Sequence, residues 1–301
     1  MKILITGATG LVGQRLSKML AGKGYEVAHL VRKAVPGSKY KQYTWNVPAG
    51  KIDEGCIDRT EGIIHLAGAS VVSDRWTKER KQEIISSRTD SISLLYSILA
   101  KHEHKVKVCI SAGGIGYYGD RGNELLTEES PAGNDFLSVS CTDWEKAVEK
   151  GRDLGLRICL VRTGMVLSLK GGALKELEKT VRLGLGAPLG TGKQYMSWIH
   201  IDDLCRMYIR AIENKDLAGV YNGVAPNPVV NAEFTRILAA VMRKPLLLPN
   251  IPEFIMQLIL GERKHVVLDS DNVSAEKIIK TGFEFQFKLL SAALIDLYSN
   301  D

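Results

Sequence analysis

The opening thirteen residues constrain this chain more than any other stretch. Ile3 to Ile5 form a short apolar run of β type, and three glycines follow at a spacing of three: Gly7, Gly10 and Gly13. A helical pattern, Leu11 to Leu20, starts inside that string. A strand that delivers the chain through a glycine turn to a helix N-terminus brings free backbone N–H groups and the positive end of the helix dipole to one point. That point suits a pyrophosphate. Gly7 permits the tight turn, Gly10 removes the side chain that would block a phosphate, and Gly13 lets helix and strand pack closely.

The full string, Thr6-Gly-Ala-Thr-Gly-Leu-Val-Gly13, resembles the short-chain dehydrogenase/reductase superfamily in its extended, epimerase-like branch. The resemblance implies a Rossmann domain that binds NAD or NADP, with Thr9, Leu11 and Val12 joining the glycines at the cofactor.

A chain of 301 residues buries a large core; it is long for one domain and short for two. One major domain with a smaller dependent lobe is expected. Hydrophobic content of 45% and charged content of 25% are those of an ordinary globular protein. The net charge of +6 comes from scattered Lys and Arg with no basic run, which gives nucleic-acid binding little support and suits an anionic small ligand equally well; no nucleic-acid partner is expected. No apolar stretch is long enough to span a membrane, and the glycine turn interrupts any signal-peptide core. Cys56, Cys109, Cys141, Cys159 and Cys205 form neither CxxC pairs nor a ligand cluster. They read as reduced thiols of a cytoplasmic protein with no metal. Monomer and homodimer both stay open.

Strand-like and helix-like segments alternate through the first half. After the first helix come a strand at Glu26–Val31, a polar loop around Pro36 and Pro48, an apolar run at Gly62–Ala67 and a helix at Thr77–His102. A strand at Lys105–Ser111, a helix at Phe136–Leu154 and a strand at Leu156–Arg162 follow. Short apolar runs between helices predict an α/β fold, a doubly wound parallel sheet of Rossmann type covered on both faces. Beyond Arg162 the alternation weakens. Gly184–Gly192 is a glycine-rich loop. Ile201–Glu213 and Asn231–Arg243 are helices, with Asn231 as N-cap of the second, and short helices run on past Pro252. The expected division is a cofactor domain over 1–164, joined by 196–222, and a mostly helical substrate-side lobe over 165–301.

Arg32 lies nineteen residues beyond Gly13, at the end of the second strand, and Lys33 follows it. An acidic residue there would accept hydrogen bonds from the ribose 2′-OH of NAD. Two cations instead suit a 2′-phosphate, so NADP(H) is the expected cofactor. Leu66, Ala67 and Gly68 follow the third sheet strand, where small residues allow close approach to the cofactor. His65 reads as a strand-end histidine packed against the sheet.

The superfamily's chemistry uses Ser, Tyr and Lys, the last two spaced YxxxK on one helix face. No YxxxK is present. Aligning Glu145 with the acidic residue that often follows the motif puts Leu137 at the Tyr position and Cys141 at the Lys position. The segment Ser111-Ala-Gly-Gly-Ile-Gly-Tyr-Tyr-Gly119 resembles the family's serine-rich segment, with Gly113 or Gly114 where the serine belongs. Ser111, Tyr117 and Tyr118 are the remaining catalytic candidates, and Ser111 also faces the cofactor. The two tyrosines serve either as proton donors or as packing aromatics. Arg162, Gly164 and Met165 belong to the nicotinamide side in related proteins. Gln194, Trp198 and His200 are substrate-side candidates, and His200 reads alternatively as an anchor for Asp202 or Asp203 at a helix start.

Further segments, among them Gly116–Gly122, Arg162–Leu167, Arg182–Gly190, Trp198–Leu204 and Ala225–Phe234, look like one atypical "epimerase family protein" branch. That branch ends in a small segment of unassigned function, similar to Pro252–Leu297 here. The expected function is an NADP-dependent oxidoreductase or epimerase acting on a small carbonyl or hydroxyl substrate. The rivals are a non-catalytic NADP(H)-binding sensor and a nucleotide-sugar epimerase.

Overall fold

The computed structural model describes residues 1–299. Its centre is β1 (Lys2–Thr6), parallel to β2 (Glu26–Val31) on one side and to β5 (Thr60–His65) on the other. Beyond β2 lie β3 (Lys41–Asn46), parallel, and β4 (Lys51–Ile52), antiparallel. Beyond β5 lie β6 (Val108–Gly114), β7 (Arg157–Thr163) and β11 (Gly219–Gly223), all parallel. The result is an eight-stranded Rossmann-type sheet in the order β11-β7-β6-β5-β1-β2-β3-β4.

All five residues of β1 are buried, as a strand covered on both faces requires. Successive side chains point to opposite faces. Ile3 and Ile5 join Leu16 and Leu20 of α1 (Leu11–Gly22) and Leu204 and Tyr208 of α5 (Ile201–Glu213). Leu4 joins Ile92 and Leu95 of α2 (Lys78–Leu99) and Val148 of α3 (Phe136–Glu149) on the other face. From β1 the chain winds one way to β2, while β5 continues the sheet the other way. That reversal opens a crevice at the carboxyl ends of β1 and β5, where α/β sheets hold ligands.

Beyond the sheet, β8 (Met165–Leu167) pairs with β10 (Trp198–His200), and β9 (Tyr195–Met196) with β12 (Val229–Val230). They lie among α4 (Ala173–Arg182), α6 (Asn231–Val241), α7 (Glu253–Leu260), α8 (His265–Leu268), α9 (Glu276–Lys280) and α10 (Leu290–Ser299). A third core of Leu167, Leu174, Trp198, Phe234, Leu238 and Leu294 unites this region. Asp203, fully buried in the first turn of α5, accepts the backbone N–H groups of Gln286 and Phe287 at 2.9 Å each and ties the C-terminal segment to the sheet.

Four local expectations change. The polar loop after β2 contains β3 and β4. Tyr43 and Trp45 alternate inward there, a short signal flanked by Gly and Pro. β6 runs on to Gly114, so Ser111 sits inside the strand. The helix at 136–154 stops at Glu149 and continues as a 3₁₀ turn over Lys150–Leu154. Asn231 does not cap α6, whose N-cap is Val230. Its Oδ1 accepts the Leu189 N–H at 2.7 Å and so braces the glycine-rich loop. All five cysteines are free, and no helix among the described residues is long and apolar enough to cross a membrane.

Candidate functional site

Gly7 turns the chain out of β1 with φ of +65°, and a Cβ there would stand 2.6 Å from the Leu66 carbonyl carbon and oxygen. Both facts exclude a side chain. A Cβ on Gly13 would stand 2.6 Å from Ala8 Cα, so α1 leaves the sheet at backbone contact. Gly10 is the N-cap of α1 and contributes no capping side chain. The first N–H groups of the helix, at Leu11, Val12 and Gly13, therefore point out of the helix end without a side-chain acceptor. No acidic residue stands in that first turn. An anion is the natural occupant.

The wall opposite is the loop after β5, fixed by polar groups beneath it. Thr6 Oγ1 accepts the N–H groups of Leu66 (3.1 Å) and Ala67 (3.2 Å), so its own proton goes to His65 Nδ1 at 2.9 Å. Ser91 spends its proton on the Arg88 carbonyl, which leaves His65 Nε2–H to donate to Ser91 Oγ at 3.3 Å. Burial pulls the His65 pKa down to about 3, so this imidazole is a neutral brace and no proton carrier. Ser87 Oγ accepts the Ala69 N–H at 2.9 Å, and Gly68 lies against the Arg88 guanidinium. The serines of α2 that hold this wall, and the arginine that lies against it, carry no sequence motif and were missed.

Arg32 and Lys33 are exposed at the end of β2, with no ion pair or hydrogen bond among the described residues. The two cations and the uncapped helix end are the anion-seeking features of the carboxyl edge. They fit a dinucleotide that carries a third phosphate.

At the station expected for catalysis, Gly114 lies beside α3, where a Cβ on it would stand 3.4 Å from Cys141 Sγ. A Cβ on Gly116 would stand 3.3 Å from Leu137 Cβ. Leu137 and Cys141 thus face the end of β6 and the turn that follows it. Burial pushes the Cys141 thiol up to about 12 in spite of Arg88 nearby, so no thiolate forms there. Ser111 is fully buried within β6, between His65 and Leu160, and donates to the Ala112 carbonyl at 2.9 Å. Its hydroxyl is shielded from solvent and its proton is spent inside the strand, which speaks against both of its expected roles.

Arg162 is likewise reassigned. Its guanidinium makes a bidentate pair with Glu145 (2.8 and 2.9 Å) and donates to Tyr118 Oη at 3.0 Å. The Tyr117 ring stacks on it, 3.4 Å from ring centroid to guanidinium carbon. Desolvation draws its pKa down, but Glu145 and Tyr118 outweigh that and leave it raised. Four of its five N–H donors are spent within the protein, the fourth on the Glu128 carbonyl at 3.3 Å, so Arg162 braces the loop after β6. Tyr118 is fully buried and spends its proton on Asn222 Oδ1 at 2.7 Å, which removes it from the accessible proton donors. Tyr117 stays partly exposed, beside Thr142 and Glu145 of α3.

The substrate-side candidates turn out to be scaffold. Trp198 is fully buried in the third core, its indole N–H donating to the Asn227 carbonyl at 3.0 Å. Gln194 Nε2 donates to the Leu189 and Val267 carbonyls at 3.1 and 3.3 Å, and so staples the glycine-rich loop to the C-terminal segment. His200 is the N-cap of α5: Nδ1 accepts the Asp202 N–H at 3.2 Å, Nε2 faces Asp296 at 3.5 Å, and burial lowers its pKa. Gly164 is glycine because Val224 Cγ1 would stand 2.8 Å from a Cβ, with the Ser197 carbonyl closer still. Its N–H bonds to the Gly223 carbonyl at 3.2 Å. Met165 is half-buried and packs against the third core. Among the described residues no group of three or more His, Cys, Asp or Glu could hold a metal.

Asp271, from the C-terminal segment, was missed because nothing local marks it. Burial first, then the carboxylates of Asp269, Asp120 and Asp135, push its pKa up to about 8. Its backbone is pinned by the Tyr195 carbonyl at 3.0 Å, and Ser197 Oγ donates to its own carbonyl at 2.6 Å. It is the carboxyl that keeps its proton at neutral pH. The sign of the linkage follows. The unfolded chain ionises at 3.8 and the folded one only at about 8, so stability falls as pH climbs through that window. Asp271→Asn removes the loss. It is expected to stabilise the protein by about 1–2 kcal/mol more near pH 9 than near pH 5, after discounting for solvent screening. Urea melts at the two pH values test this, and equal gains at both refute it.

Comparison with known proteins agrees with this geometry. The model of the NAD dependent epimerase/dehydratase family matches residues 3–223, and that of a domain of unknown function, DUF1731, matches residues 251–297. The chain is 35% identical to the chloroplastic homologue of epimerase family protein SDR39U1 from Arabidopsis thaliana, over 98% of this chain and 86% of that protein. It also superposes on the crystal structure of human SDR39U1 (isoform 2) with NADPH, at a TM-score of 0.89 and 30% identity over the whole of both chains. The UDP-N-acetylglucosamine 4-epimerase of Bacillus cereus, at 16% identity over 100% of this chain and 99% of that one, shares the fold with a TM-score of 0.80. With its glycine turn, its parallel sheet and its C-terminal segment all accounted for, the chain belongs to the NAD dependent epimerase/dehydratase family.

Proposed function

We propose that this protein binds NADP(H) and transfers hydride between it and a small carbonyl or secondary alcohol substrate. One observation carries the reading: a glycine turn at backbone contact with its neighbours aims an uncapped helix end at the cleft, and two unpaired cations, Arg32 and Lys33, stand at the end of the next strand. The human relative crystallised with NADPH supports it. Bound there, the cofactor supplies the hydride. The N–H groups of Leu11, Val12 and Gly13 would hold its pyrophosphate, Leu66, Ala67 and Gly68 would line its flank, and Arg32 would pair bidentately with the 2′-phosphate.

The expected result is tight binding of NADPH, weak binding of NADH, and a loss of about 10–100-fold in NADPH affinity in Arg32→Ala with NADH unaffected. Calorimetric titration decides it, and equal affinities for the two cofactors would falsify the preference. A second reading, a non-catalytic NADP(H)-binding protein, is favoured by the leucine and cysteine at 137 and 141 and by the engaged hydroxyls of Ser111 and Tyr118. NADPH oxidation with any member of a carbonyl panel selects the first reading. Binding without turnover across the panel selects the second. The nucleotide-sugar epimerase reading rests on likeness of fold.

A further inference from the structure

The cation beside Cys141 deserves a reason for being there. Arg88, half-buried on α2, projects between the loop after β5 and α3. A Cβ on Gly68 would stand 3.1 Å from its guanidinium carbon and 3.3 Å from its Nε. On the other side its guanidinium lies 5.0 Å over the Trp144 ring. Trp144 is one turn along α3 from Cys141, and Cys141 touches Gly114 at the carboxyl end of β6. Its Nη1 donates to the Ile84 carbonyl at 2.7 Å. No carboxylate pairs with it, in contrast to Arg15, Arg80, Arg162 and Arg206, which all have acidic partners. Burial lowers its pKa, with Arg80 nearby adding to the same effect.

A partly desolvated cation without a counter-ion costs folding free energy, and Met or Leu would fill the same space more cheaply. Its position explains why it stays. A dinucleotide on this fold crosses the carboxyl ends of the strands from the β1 turn toward β6 and β7. Gly68 follows β5, midway along that path, and Gly114 ends β6. We propose that Arg88 grips the nicotinamide-side half of the bound dinucleotide, as a positioning residue reaching from α2 into the station that Cys141 leaves without charge. This rests on the NADP(H) reading and adds to it the element that orients the reactive end. The remaining guanidinium donors suit the hydroxyls of the nicotinamide ribose and the adjoining phosphate.

The test uses the full chain and two probes, NADPH and adenosine 2′,5′-bisphosphate, which lacks the nicotinamide half. In Arg88→Met, NADPH affinity is expected to fall at least about tenfold, while the bisphosphate binds as it does to the wild type. The ligand-free variant is expected to melt at or above the wild-type temperature, because an unpaired cation has been removed. Arg88→Lys is expected to keep part of the NADPH affinity. Wild-type NADPH affinity in Arg88→Met, or equal weakening of both probes, overturns the proposal and leaves Arg88 a scaffold residue. Should Arg88→Met fail to fold, Arg88→Gln takes its place in the same titrations. Failure of the wild-type protein to bind either probe is a different result, and sinks the cofactor reading itself.

Discussion

Gly13→Ala is expected to destabilise the protein by about 3 kcal/mol and to abolish measurable NADPH binding, although it adds a single methyl group. The new carbon would stand 2.5 Å from the Gly7 carbonyl oxygen and 2.6 Å from Ala8 Cα. Both are backbone atoms of the turn itself, so no side chain can rotate to make room. Relief requires α1 to move off β1, which displaces the N–H groups of Leu11 and Val12 from the phosphate position and opens the core at Leu16 and Ile5. The same helix supplies its own control. A Cβ on Gly22, at the last turn of α1, would meet nothing within 4 Å. Gly22→Ala is expected to be neutral or to stabilise by about 0.5–1 kcal/mol through helix propensity. Urea unfolding of the two variants, paired with NADPH titration, gives the comparison. Equal midpoints for Gly13→Ala and the wild type would mean that the close approach of turn and helix is not what demands glycine there.

That prediction rests on a feature legible from sequence, and the contrast with the catalytic station shows why some features are legible. The glycine turn spans seven residues, and strand, turn and helix are local patterns. Apolar runs between amphipathic helices announce a parallel sheet because each strand is covered on both faces. The absence of YxxxK is equally local, since the two residues share a helix face four positions apart. Roles that depend on distant partners were not legible. Tyr118 finds Asn222 from 104 positions away, and Arg162 takes in Glu145, Tyr118 and the Glu128 carbonyl from three separate segments. Read alone, an arginine after a strand and a tyrosine in a glycine-flanked loop look like ligands. The fold makes them partners of each other. Trp198 and Gln194 mislead in the same way: the motif around them is real, but their polar atoms are spent on the Asn227, Leu189 and Val267 carbonyls. Arg88 is the opposite case. It has no motif, and its importance lies in the carboxylate it lacks.

Breaking the Arg162–Glu145 pair is expected to cost about 3–5 kcal/mol, the range for stranding one member of a buried ion pair. Arg162 is 4% exposed and Glu145 13%, so neither stranded charge can recover its hydration. In Arg162→Met the Glu145 carboxylate loses two charge-assisted hydrogen bonds, Tyr118 loses a donor, and Tyr117 loses the cation under its ring. Removing both charges together, in the double variant Arg162→Met with Glu145→Met, leaves nothing stranded and is expected to recover most of that loss. A double-mutant cycle by urea melts measures the coupling. The same variants separate two views of Arg162. If the guanidinium braced the nicotinamide end of a cofactor, the double variant would regain stability yet bind NADPH far more weakly. Because four of the five N–H donors of Arg162 are already committed within the protein and the residue is buried, the folded double variant is expected to bind NADPH within about threefold of the wild type, a difference of less than 1 kcal/mol. A tenfold or greater loss in that stable variant would return Arg162 to the cofactor, and would make the Glu145 pair a means of aiming it.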